Sequence, residues 1–101
     1  MIAVTSDAHL NPDRLDEART ILLDLQAHAL REGGCLSYVF AAALEDPAHI
    51  RGFEEWADDA SLEAHLSAPA LAATLERLGP LLTRPPVVTR YAVSEHGPIE
   101  L

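Results

Sequence analysis

Residues 35–44 read Cys-Leu-Ser-Tyr-Val-Phe-Ala-Ala-Ala-Leu, ten positions without a charge. In an extended strand, Leu36, Tyr38, Phe40, Ala42 and Leu44 point one way, and Cys35, Ser37, Val39, Ala41 and Ala43 point the other. A strand with one wet face alternates apolar with polar residues; this one does not, so both of its faces ask for cover. A layer of helices covers one. For the other, a chain of 101 residues has little left to offer.

Outward from this strand the pattern is regular. Glu45-Asp46-Pro47 predicts a turn, and His49 to Ala57 a returning strand, with Ile50, Gly52, Glu54 and Trp56 on one face. His49, Arg51, Phe53 and Glu55 share the opposite face. Upstream, Ile2 to Leu10 is short and β-prone. Asn11-Pro12-Asp13 then opens a helix: a capping side chain, a proline suited to the first turn, and an acid at the positive end of the dipole. Leu15, Ala18, Leu22, Leu25 and Ala29 form its apolar stripe, and Gly33-Gly34 is expected to end it. Downstream, Asp58-Asp59 opens a short helix with Leu62, His65 and Leu66 inward. Pro69 starts another helix, striped by Leu71, Leu75, Leu78 and Leu82, and Gly79-Pro80 interrupts it near its end. Beyond Pro85-Pro86, Val87 to Val93 alternates as a last strand.

The order β-α-β-β-α(α)-β is the split pattern of a ferredoxin-like α+β fold, an antiparallel sheet with helices on one face. The other face is left bare and largely uncharged, so two copies are expected to pair sheet against sheet as a homodimer. One domain spans residues 1–95, and residues 96–101, with Gly97-Pro98, form a loose tail.

The totals narrow the partners. Sixteen acidic residues against seven basic ones, all arginine, leave a formal charge of −9. Such a surface repels phosphate backbones and anionic lipid, which argues against nucleic acid and membranes as partners. Cys35 is the only cysteine, so no disulfide can form within the chain, and a reducing cytoplasm is the expected location. No basic-then-apolar leader or membrane-length apolar run is evident.

No metal-ligand spacing, phosphate-binding glycine loop or nucleophile motif is present, so no metal and no cofactor are expected. Cys35 reads as a small packing residue, His9, His49 and His96 as solvated, and His28 as a favourable cation near a helix end. One constellation stands apart. Glu54 and Trp56 share the strand face beneath the helices, and His65 projects toward it from the next helix, joined by Tyr38 if its strand presents the same face. A carboxylate, an imidazole and an indole in an apolar setting suit the binding and polarising of a phenolic or carbonyl compound. The same residues also fit a filled core in which Glu54 hydrogen-bonds His65 and Trp56 simply packs. By themselves they fit that arrangement slightly better, because a buried acid–histidine pair is a common structural device.

Gly34-Cys35-Leu36-Ser37-Tyr38, Phe53-Glu54-Glu55-Trp56, Ala64-His65-Leu66-Ser67-Ala68-Pro69 and the closing Val87 to Val93 together resemble the antibiotic biosynthesis monooxygenase family. The branch they look most like is that of quinol monooxygenases. The resemblance implies a dimeric α+β barrel that oxidises phenols or quinols with dioxygen and uses no flavin, haem or metal. It implies His65 as acid/base with Glu54 as its orienter, and Trp56 and Tyr38 as an aromatic wall joined by Phe40. Leu62 completes the implied pocket, which Gly52 would enlarge. The asparagine that some members place near the tryptophan is missing, since the only asparagine is Asn11. The haem-degrading branch relies on a later-helix histidine where this chain has Leu75 and its leucine neighbours, which argues against haem. The alternative is a non-catalytic barrel that binds a small apolar ligand; an isomerase or lyase on the same fold comes third.

Overall fold

In the computed structural model, which describes residues 1–101, strand β1 (Ile2–His9) leads through a 3-10 turn at Pro12–Arg14 into helix α1 (Leu15–Ala29). Strands β2 (Cys35–Ala43) and β3 (Asp46–Trp56) follow, then helices α2 (Asp59–Leu66) and α3 (Pro69–Leu78), a 3-10 turn at Gly79–Leu81, and strand β4 (Val87–Ala92). The four strands form one antiparallel sheet in the order β2-β3-β1-β4. This is the ferredoxin-like α+β architecture. No helix is long and apolar enough to cross a membrane.

The helices lie on the sheet face that carries Ile2 and Val4 of β1, Tyr38 and Phe40 of β2, and Glu54 and Trp56 of β3. One core cluster there joins Ile2, Val4, Leu25, Ala29, Tyr38, Trp56 and Leu62. A second joins Leu10, Ala18, Ile21, Leu22, Leu78 and Leu81, and Phe40 packs against both. The opposite face carries no layer at all. Val39 and Phe53 pair in its middle, Val87 and Tyr91 stand on its β4 edge, and each of those apolar side chains is exposed.

Local chemistry explains most element ends. The Asn11 Oδ1 accepts from the Asp13 N–H at 2.9 Å and so caps the 3-10 turn, from which α1 departs. The Asp58 Oδ1 accepts from the Ser61 N–H at 2.8 Å and caps α2. The end of α1 falls earlier than the glycines: the helix stops at Ala29, and residues 30–34 turn the chain back. Gly34 is needed for that turn, not for the helix end. It has φ +80°, and a Cβ there would run into the Ser61 side chain.

The β2–β3 hairpin is also tighter than its Glu45-Asp46-Pro47 signal suggested. Ala43 pairs with Asp46, so only Leu44 and Glu45 make the turn, and Asp46 and Pro47 already belong to β3. The register slips there, between Ala42↔Ile50 and Ala43↔Asp46, so Pro47 sits in an irregularity where no ladder donor is required. A second slip, between Cys35 and Ser37, breaks strict alternation at Leu36 and leaves that side chain exposed.

Candidate active site

Between the sheet and the helices lies a cavity of about 330 Å³. Tyr38 and Phe40 reach it from β2, Glu54 from β3, Leu62 and His65 from α2, Leu71 and Thr74 from α3, and Val88 and Arg90 from β4. Most of its lining is hydrocarbon. The few polar groups on its wall are therefore conspicuous, and each has a definite partner or a definite opening.

His65 is 2% exposed. Its Nδ1 lies 2.9 Å from Oε1 of Glu32, a residue of the turn between α1 and β2. An ionised carboxylate only accepts, so Nδ1 carries a proton and donates it to Glu32, which leaves Nε2 as the ring nitrogen free to meet a ligand. No atom of the chain bonds to Nε2, yet no sealed side-chain nitrogen or oxygen is left without a partner, so Nε2 opens onto the cavity that His65 lines. His28 Nε2 stands 3.8 Å from the same Glu32 oxygen and adds a second imidazole to that carboxylate.

Glu54 does not hold His65, contrary to the sequence expectation. Its Oε1 accepts from the indole Nε1–H of Trp56 at 2.9 Å. The reason is proximity: Trp56 is the next residue on the same strand face, and its N–H is the first buried donor within reach. Burial pushes the Glu54 carboxyl above its ordinary range. The Trp56 hydrogen bond and the His65 charge oppose that shift, and the Glu32 charge adds to it.

Trp56 is fully buried and stands behind the cavity wall rather than in it. Its ring lies 4.7 Å from the His65 ring, tilted by 32°, so it backs the imidazole and fixes its plane. Tyr38 does line the cavity, edge-on to both Phe40 and His65 at 5.5 Å. Burial, followed by the charges of Glu54 and Glu32, pushes its phenol far above the usual range, so it stays neutral. Gly52 does not enlarge the cavity. The Phe40 ring and the Ser6 hydroxyl lie across it, and a Cβ there would meet the ring at 3.2 Å. Leu62 is buried and lines the cavity beside His65.

Three contributors lay outside the sequence reading. Glu32 sits 33 residues before His65 and has only the four-residue spacing to His28 as a local signal. Thr74 is buried because its hydroxyl donates to the Ala70 carbonyl at 2.9 Å, which lets it pass for an apolar residue on α3. Arg90 faces the cavity from β4, and its guanidinium pairs with Asp59 and Glu63 of α2 across the rim.

Two histidines read as solvated are instead half-buried and paired on the bare sheet face. The His9 and His49 rings stack at 4.2 Å, and His49 Nε2 lies 2.7 Å from Asp7 Oδ1. Arg51 Nε approaches the same oxygen at 2.8 Å. The His49 hydrogen bond, helped by Arg51, holds the Asp7 carboxyl below its ordinary range. His96, also read as solvated, reaches Glu55 at 3.2 Å.

The site is thus an apolar room under the helices of an α+β fold, with one carboxylate-held imidazole on its wall. Comparison gives the family. The model of the antibiotic biosynthesis monooxygenase family matches residues 1–77, and the chain belongs to that family. A protein from Deinococcus radiodurans, put forward as an antibiotic biosynthesis monooxygenase, superposes with a TM-score of 0.93 at 23% identity, covering 99% of each chain. Rv0793 from Mycobacterium tuberculosis superposes at 0.88 with 26% identity, over 96% of this chain and 98% of that one. In sequence, the uncharacterized protein sll1783 of Synechocystis sp. is 26% identical over 94 residues. That match takes in 93% of this chain but 64% of the Synechocystis protein, which is the longer of the two.

Proposed function

We propose that the chain is a monooxygenase of phenolic or quinol-type aromatic compounds that works without a cofactor and as a homodimer. The observation that carries this reading is His65, held by Glu32 on one nitrogen and open to an apolar cavity on the other. A phenol placed in that cavity meets a base at Nε2, and Glu32 stabilises the imidazolium that results. The phenolate is electron-rich enough to react with dioxygen directly. For a simple phenol, one oxygen atom becomes the second carbonyl of a quinone and the other leaves as water. The substrate's own O–H and C–H bonds supply both hydrogens and all four electrons, so the reaction balances without an added reductant. Tyr38 and Phe40 supply aromatic edges against which a flat ring packs.

The dimer follows from the uncovered sheet face. Val39, Phe53, Val87 and Tyr91 are exposed apolar side chains there, and a second copy laid on it closes a barrel of two sheets. Its interface is expected to reach the ordinary size of a stable complex, about 1,600 Å² in total. The test of function is oxygen uptake with a panel of naphthols and dihydroxy-aromatics, without added cofactor. Wild-type protein consumes oxygen with at least one of them, and His65→Ala does not. If the compounds bind and none is consumed, the chain is a binding protein of the same barrel type.

A further inference from the structure

We infer that Glu54 is the acid of the site, a neutral carboxyl that gives a proton to the departing oxygen while His65 serves as the base. The inference rests on the monooxygenase reading above and assigns a role that the His65–Glu32 contact leaves vacant.

The geometry separates the two groups. His65 takes its orientation from Glu32, which frees Glu54 from that task. Glu54 is 8% exposed, and its Oε1 is occupied by the Trp56 indole. Its second oxygen makes no bond within the chain, and since no sealed polar atom lacks a partner, that oxygen opens onto the cavity Glu54 lines. No cation is committed to it. Arg90, the one arginine on the cavity wall, is engaged by Asp59 and Glu63. The other titratable groups around it are the neutral phenol of Tyr38 and the Cys35 thiol on β2, which burial pushes up, His65 on α2, and the Glu32 carboxylate beyond. A carboxyl among hydrocarbon walls with a single donor and no committed cation is favoured in its uncharged form. A protonated Glu54 beside an imidazole that Glu32 orients lets the two groups divide the acid and base roles between them.

The reaction needs such an acid at its second stage. His65 Nε2 takes the phenolic proton, dioxygen adds to a ring carbon, and the imidazolium returns that proton to the peroxide anion, giving a ring hydroperoxide. The O–O bond then breaks. The electron pair of the ring C–H bond forms the new carbonyl, the distal oxygen leaves with the Glu54 proton as water, and the ring proton restores Glu54. Both residues end as they began, and dioxygen has taken four electrons from the substrate.

Glu54→Gln tests this, because the amide oxygen still accepts from Trp56 while the acidic proton is gone. The probe is 1-naphthol, with oxygen uptake, 1,4-naphthoquinone and organic hydroperoxide measured in parallel. Wild-type protein forms one quinone per oxygen consumed. In Glu54→Gln, oxygen uptake continues, quinone per oxygen falls at least tenfold, and hydroperoxide makes up the difference. An unchanged ratio, or a parallel loss of uptake and quinone, overturns the role. A second measurement needs no turnover: the infrared spectrum at pH 7 should show a carboxylic-acid C=O band that Glu54→Gln removes. Absence of that band overturns the inference even if 1-naphthol is oxidised. Failure of wild type to oxidise any phenol, with the band present, overturns the catalytic role along with the monooxygenase reading and leaves only the neutral carboxyl standing.

Discussion

On the helix side of the sheet, Ile2, Val4, Tyr38 and Trp56 are at most 7% exposed, whereas Val39, Phe53, Val87 and Tyr91 on the other side are 41–62% exposed. The residue types are alike; the cover is not. Helices of the same chain complete the first face, so its polar groups are locked into short, dry contacts such as Glu54–Trp56 and His65–Glu32. The second face keeps its polar pairs, Ser37 with Glu55 and Asp7 with His49 and Arg51, toward its two ends, and nothing covers the apolar side chains among them. One face is therefore finished by folding, and the other is the one proposed to be closed by a second copy. Energetic consequences differ accordingly, since a contact removed from water carries far more weight than one still half in it.

The largest effect is expected from removing the centre of the dry face. Trp56→Ala takes out a fully buried indole that backs His65 and satisfies Glu54, and should cost about 3–5 kcal/mol, read from denaturant unfolding. A cost within ~1 kcal/mol would mean that this face is no better ordered than the other.

Next comes the bare face. Phe53→Asp should leave the folded subunit nearly as stable, within about 0.5 kcal/mol for an exposed position. It should nevertheless weaken the dimer by about two orders of magnitude or more, because an unpaired charge would be buried between the sheets. Sedimentation velocity across a concentration series reads this directly. A variant that stays dimeric would place the second copy elsewhere and end the contrast between the faces.

Glu32→Gln is expected to act on chemistry rather than on folding. Stability should change by no more than about 1 kcal/mol, since the amide oxygen still accepts from His65. Turnover of a phenol should fall by roughly 10–100-fold as the imidazolium loses its countercharge.

The smallest expected effect is on the pH dependence of stability, where the two faces carry opposite signs. The Glu54 carboxyl is raised above its ordinary value of 4.5, so its contribution is complete below that value and is lost as pH rises through the raised one. Asp7 on the bare face is lowered from 3.8, so its contribution is present above that value and is lost as pH falls. Unfolding midpoints across pH should therefore lose their decline toward higher pH in Glu54→Gln, and their decline toward acid in Asp7→Asn. The same slope in both variants would refute the assignment.

The strands, their faces and the helix starts were legible in the sequence because they rest on short-range rules. Period-two alternation placed Tyr38, Glu54 and Trp56 under the helices, Asp58 announced the cap of α2, and three-residue spacing from Leu62 turned His65 inward. Those rules also located the cavity's main residues without locating their partners. Strict alternation failed at the two ends of β2, at Leu36 and beyond Ala42, where the slipped registers have no sequence signal beyond the small residues around them.

What the sequence determined by itself was the order of elements, the composition of each sheet face and the acidic, arginine-only surface. Each depends on residues a few positions apart, or on simple sums. What only the tertiary structure decided was who touches whom: Glu32 instead of Glu54 on His65, Trp56 behind the wall instead of in it, and Phe40 across Gly52. Those outcomes depend on how a turn after α1 is laid against α2, and on which of two nearby donors first reaches a carboxylate. Shifts of an ångström or two exchange such partners while leaving periodicity and composition unchanged, so no pattern along the chain distinguishes them.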